Sequence, residues 1–391
     1  MAYSFHLPGR TVIGENALDT CEVYIKGLGK KAFVVTGKIV TKTGLLKVLT
    51  DKLHAWGVAW EVFSEITGEP TDKMIAAGVA AYRESGCDFI AAIGGGSPLD
   101  SAKAIAAMSV LPGRISDYLG KELGGKFPPL VLIPTTAGTG SEATKFTIIT
   151  DTETDVKMLL KGDALLPDLA IIDPLLSVSS PKDITAATGM DALTHAVEAY
   201  TSRKANALTD IYALDAIRRI FSWLPKAYED GSNMKAREEM AVAAFEAGVC
   251  INNASVTVVH GMSRPIGALF HVPHGISNAM LITGCLNSVL DGCAPRFAAI
   301  ARAIGAADGA DIGVADSYTK DESAARLFIA ELEKLTKALN IPTLRKYGIK
   351  KAEFDAHVDK MATDAIMSGS PSNTRKNLTK EDLAAIYQKL W

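Results

Sequence analysis

The first hundred residues alternate short apolar runs with longer stretches in which apolar residues recur every three or four positions. "KAFVVTG" leads into "GLLKVLTDKLHAWG", "VAWEVF" into "TDKMIAAGVAAYRESG", and "DFIAAIGGG" closes the series. Strand, amphipathic helix and strand in succession bury their apolar faces most readily as parallel strands with helices packed on the sheet. This pattern commits the N-terminal part to an α/β fold. Further runs, "PLVLIPTT", "FTIITD" and "LAIID", extend the β-rich half, while "SFHLPGRTVIG" reads as an N-terminal hairpin whose edge could pair with a second copy of the chain.

From about residue 181 the pattern changes. After "SSPKDITAATG", where Ser180, Pro181 and Asp183 form a helix-start signal, the chain carries almost only helical periodicity, as in "ALTDIYALDAIRRIFSWLPKAY" and "AARLFIAELEKLTKALN". The expectation is an α/β domain over 1–180 followed by an all-helical domain over 181–391. At 391 residues the chain exceeds the size at which one core stops growing, which agrees with two domains.

Composition narrows the function classes. A net charge of −3 gives no footprint for nucleic acid or anionic lipid, so small-molecule chemistry is favoured. Five scattered cysteines without a CxxC pair indicate neither a disulfide framework nor a thiolate zinc site. The N-terminus lacks a basic region followed by an apolar run, and no uncharged apolar stretch of about 18 residues occurs, so a cytoplasmic protein without a membrane partner is expected.

Two loops suggest a nucleotide. In "DFIAAIGGGSPLDSAKAIAA" a buried strand runs into Gly94, Gly95 and Gly96, then Ser97 and a helix carrying Asp100 and Lys103. Glycines admit a ligand close to the backbone, and the helix N-terminus offers free N–H groups to a diphosphate. In "VLIPTTAGTGSEAT" another strand ends in Thr135, Thr136 and Thr139 among glycines, a mixture of hydroxyls and bare backbone suited to an anionic or polyhydroxyl ligand.

A metal is the other candidate. In "GMDALTHAVEAY" Asp191 and His195 stand one helical turn apart between apolar neighbours, so both project from one face. A carboxylate and an imidazole in apolar company need a partner, and a cation would serve. His260 and His274 could complete a set of one oxygen and three nitrogens, which suits Fe(II) or Zn(II) better than Mg(II) or Ca(II).

These segments, together with "HGMSRPIGALFHVPHGISNAMLIT", occur in an order that resembles the iron-containing (group III) alcohol dehydrogenase family across both halves. The resemblance implies a Rossmann-like NAD(P)-binding domain before an all-α domain, in a dehydroquinate synthase-like architecture. It further implies a metal held by Asp191, His195, His260 and His274, with Fe(II) expected and Zn(II) or another divalent ion as the alternative. The family's cofactor loop matches Gly95, Gly96, Ser97 and Asp100, its threonine loop matches Thr135, Thr136 and Thr139, and Lys157 matches a lysine beside the nicotinamide ribose. Phe146 and Ile251 fall near substrate-pocket positions and imply an apolar pocket.

Two positions depart from the family pattern. Gly37 stands where several NAD-preferring members carry an aspartate, whose absence, with Lys38 or Lys42 nearby, implies that NADP(H) is accepted as well as NAD(H). Arg264 stands where diol-oxidising relatives carry a histidine implicated in proton transfer, and arginine cannot relay a proton. His271 then becomes the candidate relay.

The implied function is reversible hydride transfer between a small primary alcohol and a nicotinamide in an interdomain cleft of a homo-oligomer, a dimer or larger. The alternatives are a polyol dehydrogenase of the glycerol or 1,3-propanediol type, a dehydroquinate synthase-like enzyme, and a non-catalytic nucleotide-binding protein with a structural metal.

Overall fold

A computed structural model describes residues 2–307 and 320–391. Eight strands are present among them: β1 (Thr11–Ile13), β2 (Lys31–Gly37), β3 (Ala59–Ile66), β4 (Phe89–Gly94), β5 (Leu130–Pro134), β6 (Phe146–Asp151), β7 (Val156–Lys161) and β8 (Leu169–Ile172). Six form one parallel sheet in the order β1-β8-β5-β4-β2-β3, while β6 and β7 pair as a separate antiparallel hairpin. The central strands are buried on both faces and their alternate residues feed different cores. Phe33, Val35, Ile90, Ala92 and Leu132 enter one, and Ala32, Val34, Ala91, Ile93 and Val131 the other.

Helices α1 (Glu22–Leu28), α2 (Lys38–Lys42), α3 (Leu45–Ala55), α4 (Asp72–Ser85) and α5 (Gly96–Val110) supply the crossovers. Helix α5 is buried nearly all round, and its run of Ala102, Ala104, Ala106 and Ala107 allows close packing on several sides. The remaining helices are α6 (Lys182–Thr201), α7 (Ala207–Glu229), α8 (Met234–Ala254), α9 (Val258–Phe270), α10 (His274–Ser288), α11 (Leu290–Ala303), α12 (Lys320–Ala338), α13 (Leu344–Tyr347), α14 (Lys351–Met367) and α15 (Lys380–Lys389). No single helix among the described residues is long and apolar enough to cross a membrane.

The chain divides into two compact units, Met1–Pro181 with Gly231–Asn252, and Lys182–Asp230 with Asn253–Trp391. Most of α8 thus returns to the α/β unit, which helical periodicity alone does not reveal. Its anchor is a pair of facing glycines: a Cβ on Gly248 would lie 2.6 Å from the Gly140 carbonyl oxygen, and one on Gly140 2.5 Å from the Gly248 Cα. Asn252 extends the contact, accepting from the Lys145 N–H at 2.9 Å and donating to the His6 carbonyl at 3.1 Å.

The N-terminal hairpin expected from "SFHLPGRTVIG" does not form. Residues 2–10 contain no strand, and β1 pairs in parallel with β8, with Val12 opposite Ile171. Pro8 has no N–H to give a ladder, and the Gly9 N–H donates instead to the Pro167 carbonyl at 2.9 Å. The segment beyond them satisfies its backbone on the edge of the large sheet.

Candidate functional site

The α/β unit carries its loops on the carboxyl edge of the sheet. From β2 the chain crosses to β3 on one side, whereas β4, β5 and β8 follow on the other, so the strand order reverses between β2 and β4. A crevice outside the carboxyl ends at such a reversal is where open α/β sheets receive nucleotides. In the parallel register Val35 stands opposite Ala92 and Gly94 opposite Pro134, so Gly37, the Gly95–Gly96 turn and the Thr135–Thr139 loop all leave the same edge.

The two loops abut. A Cβ on Gly96 would lie 2.9 Å from Thr139 Cγ2, and one on Gly95 3.6 Å from Thr136 Oγ1. Gly95 caps α5, and Ser97 lies in its first turn. The Thr135 N–H donates to the Gly94 carbonyl at 2.9 Å, tying one loop to the other. Gly37 ends β2 under an additional constraint, since a Cβ there would lie 2.8 Å from the Ile66 carbonyl oxygen. Lys38 follows it, exposed, as the first residue of α2.

Two expected cofactor residues are engaged elsewhere. Asp100 accepts from Ser141 Oγ at 2.6 Å and from the Ile148 N–H at 2.9 Å, so each carboxylate oxygen already serves to fasten α5 to the threonine loop and to β6. Lys157 pairs with Glu69 at 2.6 Å. Phe146 and Ile251 sit beside the bonded pair Lys145 and Asn252, Phe146 half-buried and Ile251 buried.

Sequence reasoning gave Lys103 no role, yet it is fully buried. Its ammonium donates to the carbonyls of Ser141 at 2.6 Å, Thr144 at 2.8 Å and Phe146 at 2.8 Å, and lies 3.0 Å from Thr144 Oγ1. Burial pushes its pKa down to about 8 against the pull of Asp100 and Glu142. Glu142 is buried too, and burial raises it to about 7 despite a backbone hydrogen bond and Lys103. Lys103 is the clamp that gives the threonine loop its shape, and the signal for it was a lysine amid the alanines of α5.

The helical unit gathers Asp191, His195, His260 and His274, with one donor atom from each lying within 4.8 Å of all the others. Asp191 Oδ1 stands 3.8 Å from His195 Nε2, 3.9 Å from His260 Nε2 and 3.7 Å from His274 Nε2. Asp191 and His195 come from successive turns of α6, His260 from the first turn of α9, and His274 opens α10. Gly275 permits the last of these, because a Cβ there would lie 2.9 Å from the Ala187 carbonyl oxygen of α6.

The electrostatics favour a cation at this point. Burial raises the Asp191 carboxyl, but His195, His274, His260 and the Asn278 amide together outweigh it and hold the group below the usual range. His260 is driven well below the ordinary imidazole value by burial and by the neighbouring rings, so it stays neutral. The Asn278 amide nitrogen sits 2.7 Å from Asp191 Oδ1, 3.0 Å from His260 Nε2 and 3.2 Å from His274 Nε2. An amide has two hydrogens for these three acceptors, and His195 Nδ1 is buried without a partner. One carboxylate and three imidazole donors converging within 4.8 Å of one another fit a divalent ion, and the oxygen-nitrogen mixture suits iron or zinc.

Glu198, two turns after Asp191 on α6, was not singled out from the sequence. It is fully buried and accepts from Thr257 Oγ1 at 2.7 Å and the Val259 N–H at 2.6 Å, while His260 Nδ1 lies 2.5 Å from its other oxygen. This fixes the His260 ring with Nδ1–H toward Glu198 and Nε2 toward the other three donors. The signal lay in the seven-residue spacing from Asp191. Arg264, one turn after His260, has a single hydrogen bond, from Nη1 to Ser370 Oγ at 3.0 Å. His271 is exposed at the corner between α9 and α10, in the left-handed region with φ 52°, and outside the group of four.

Glycine and threonine loops at a strand-order reversal in one unit and a divalent-ion donor set in the other are what a metal-dependent, dinucleotide-linked enzyme requires. Comparison with known proteins makes the class specific. Residues 8–174 match iron-containing alcohol dehydrogenase, and residues 185–391 match the C-terminal part of that Fe-containing alcohol dehydrogenase family. The 1,3-propanediol dehydrogenase of Klebsiella pneumoniae is 38% identical over 393 residues, covering 99% of this chain and 98% of its own. The NAD-dependent methanol dehydrogenase of Bacillus methanolicus is 35% identical over 388 residues, covering 98% and 99%. The crystal structure of a 1,3-propanediol oxidoreductase superposes with a TM-score of 0.93 at 36% identity, covering 100% of both chains.

The chain belongs to the iron-containing alcohol dehydrogenase family. It is a metal-dependent, NAD(P)-linked alcohol dehydrogenase, with the parallel-sheet and all-helical organisation that the sequence implied.

Proposed function

We propose that Asp191, His195, His260 and His274 hold the metal, iron(II) in the first place and zinc(II) in the second, and that the carboxyl edge around Gly37, Gly95, Gly96 and Thr135–Thr139 receives the nicotinamide dinucleotide. The α/β unit is then the cofactor unit and the helical unit the metal unit. The observation that carries this reading is the convergence of one carboxylate and three imidazoles, with one donor atom from each lying within 4.8 Å of all the others.

When bound, the metal supplies Lewis acidity that lowers the pKa of an alcohol and polarises a carbonyl. The chain's residues do the rest. Asp191 brings the one negative charge among the four donors, Glu198 holds His260 in the ligating tautomer, and Lys103 with Asp100 keeps the threonine loop in place against the glycine turn. Phe146 and Ile251 make the substrate environment apolar, and the relatives named for methanol and 1,3-propanediol support small primary alcohols and their aldehydes as substrates, with diols as a second reading. Arg264 does not relay protons. His271, exposed and three residues before His274, is the residue that can exchange one with solvent.

The cofactor preference follows from Gly37. No carboxylate stands at the end of β2 to repel a 2′-phosphate, and Lys38 is free to face one, so NADPH is accepted alongside NADH. The enzyme acts in the cytoplasm as a homodimer or larger homo-oligomer, the latter supported by the three-residue edge strand β1 with its exposed Ile13.

Anaerobic loading with Fe(II), then an aldehyde panel with NADPH and NADH, tests the whole reading. Activity that vanishes on chelation and returns with Fe(II) is expected, with both coenzymes used. Metal-independent turnover overturns the metal assignment, and failure to use NADPH overturns the role given to Gly37. A His271→Ala enzyme with an unchanged pH profile removes His271 from the proton path.

A further inference from the structure

A cavity with room for about one water-sized particle lies among the threonine loop, the carboxyl ends of β5 and β8, and helix α8, wholly within the α/β unit. The polar residues lining it are Thr136, Glu142, Asp173 and Ser177, so oxygen is the only heteroatom their side chains bring. Glu142 is 2% exposed, and its carboxylate is short of partners. Its one hydrogen bond comes from its own N–H, Oε2 has no partner among the described residues, and the Lys103 ammonium is spent on three carbonyls rather than on it. Thr136 Oγ1 is likewise buried without a partner. Ser177 Oγ gives its hydrogen to the Pro174 carbonyl at 2.8 Å, so toward any further neighbour it can only offer a lone pair.

The charges around this cavity do not balance. Asp100, Glu142 and Lys103 are buried together, and two carboxylates against one ammonium leave one negative charge over. Asp173 is already served by backbone donors, accepting from the Leu18 N–H at 3.3 Å and the Leu175 N–H at 3.1 Å. Burying a carboxylate without compensation is costly, and a single positive charge would remove the cost. Oxygen donors suit a hard cation, but magnesium keeps several waters for which there is no room, and a double charge exceeds what Lys103 leaves unmatched. Potassium and ammonium are close to a water molecule in size, and sodium is smaller.

We propose that this cavity binds a monovalent cation of water-like size, potassium or ammonium, held by Glu142, Thr136 and Ser177 with Asp173 alongside. Thr136 and Glu142 belong to the threonine loop, whereas Asp173 and Ser177 follow β8, so the ion fastens the loop to the sheet. Coenzyme affinity then depends on the cation. That last step rests on the coenzyme assignment above, and the ion site itself does not.

The test follows thermal unfolding of the iron-loaded enzyme at about pH 8, above the Glu142 value of about 7, in potassium, ammonium, sodium or tetramethylammonium chloride at one ionic strength of about 0.1 M. Potassium and ammonium are expected to raise the midpoint by about 2–4 °C over tetramethylammonium, with sodium well short of them. Glu142→Gln keeps the shape and removes the charge, while Ala241→Val fills the cavity and keeps the carboxylate, and each is expected to erase the difference. A crystal soaked in thallium(I), the heavy counterpart of potassium, is expected to show anomalous density between Glu142 and Ser177. One midpoint in all four salts, a sodium effect equal to that of potassium, a response that survives either substitution, or thallium absent from the cavity overturns the proposal. Calcium chloride that raises the midpoint further, again through Glu142, overturns the single charge. The KM for the nicotinamide coenzyme, expected to fall about threefold in potassium, separates this inference from the one beneath it. A potassium-dependent midpoint with an unmoved KM supports the ion site and overturns the coenzyme role of the threonine loop.

Discussion

The two units solve opposite problems. In the helical unit the candidate metal site consists of side chains aimed inward from α6, α9 and α10, and His195 Nδ1 is buried there without a partner. In the α/β unit the candidate nucleotide site is a backbone surface, and two charged side chains beneath it are tied into the fold: Asp100 to Ser141, and Lys103 to three carbonyls. A metal needs lone pairs that the fold withholds from other use, whereas a diphosphate needs N–H groups whose carrier loops are already rigid. Side-chain donors gathered at one point mark the first kind of site, and backbone loops held by clamped side chains the second.

Four measurements bear on that contrast. Removing a donor has the largest effect: His260→Ala or Asp191→Ala should leave the purified protein without stoichiometric iron and lower kcat by roughly a thousandfold or more, as expected when Lewis acid assistance worth several kcal/mol is lost. Metal content measured beside activity checks it, and a variant that retains iron breaks the comparison on the helical side.

Lys103→Met comes next. It strands Asp100 and Glu142 and three loop carbonyls in a buried setting, so unfolding should become easier by roughly 3–5 kcal/mol, with a raised KM for the nicotinamide and unchanged iron content. Denaturant titration and coenzyme kinetics read the two effects. Loss of iron in this variant would show that the α/β clamp also serves the metal.

Glu198→Gln is smaller. The amide has the shape of the carboxylate but not the charge that orders His260, so metal affinity should fall roughly 10- to 100-fold, measured by competition with a chelator. An affinity within twofold of the wild type would mean that the His260 backbone position alone sets the site.

The last expected change is one of slope. Glu142 is raised from the ordinary 4.5 to about 7, and it faces Lys103 and lies near Asp173. Its folded form holds the proton more tightly than the unfolded chain does. The stability it contributes is therefore full below about pH 4.5 and is lost as pH rises toward 7. Glu142→Gln should flatten thermal stability against pH in that window, and an unchanged slope would relieve Glu142 of that role.

Much of this was legible in the chain. The strand-helix alternation gave the sheet, and the fourfold spacing of Asp191 and His195 gave the half of the donor set that α6 supplies, because period and face are local properties. The N-terminal hairpin misled because alternation says nothing about which partner a strand chooses, and Thr11–Ile13 pairs with β8 at the edge of the large sheet. Lys103 was overlooked because a lysine on a helix ordinarily points to solvent, and only the packing of β6 and the threonine loop over α5 buries it.

The sequence by itself determined which residues could act: glycines and hydroxyls at strand ends, a carboxylate and an imidazole one turn apart, two further histidines downstream, and an arginine where a relay had been expected. Only the tertiary structure decided which of them are free to act. Asp100 and Lys157 turned out to be engaged within the protein, whereas His195 Nδ1 and Arg264 Nε were left without a hydrogen-bond partner. The physical reason is that hydrogen-bond satisfaction is a property of neighbours brought together by folding, and a residue's chemistry becomes available only where those neighbours leave a lone pair or a charge unmatched.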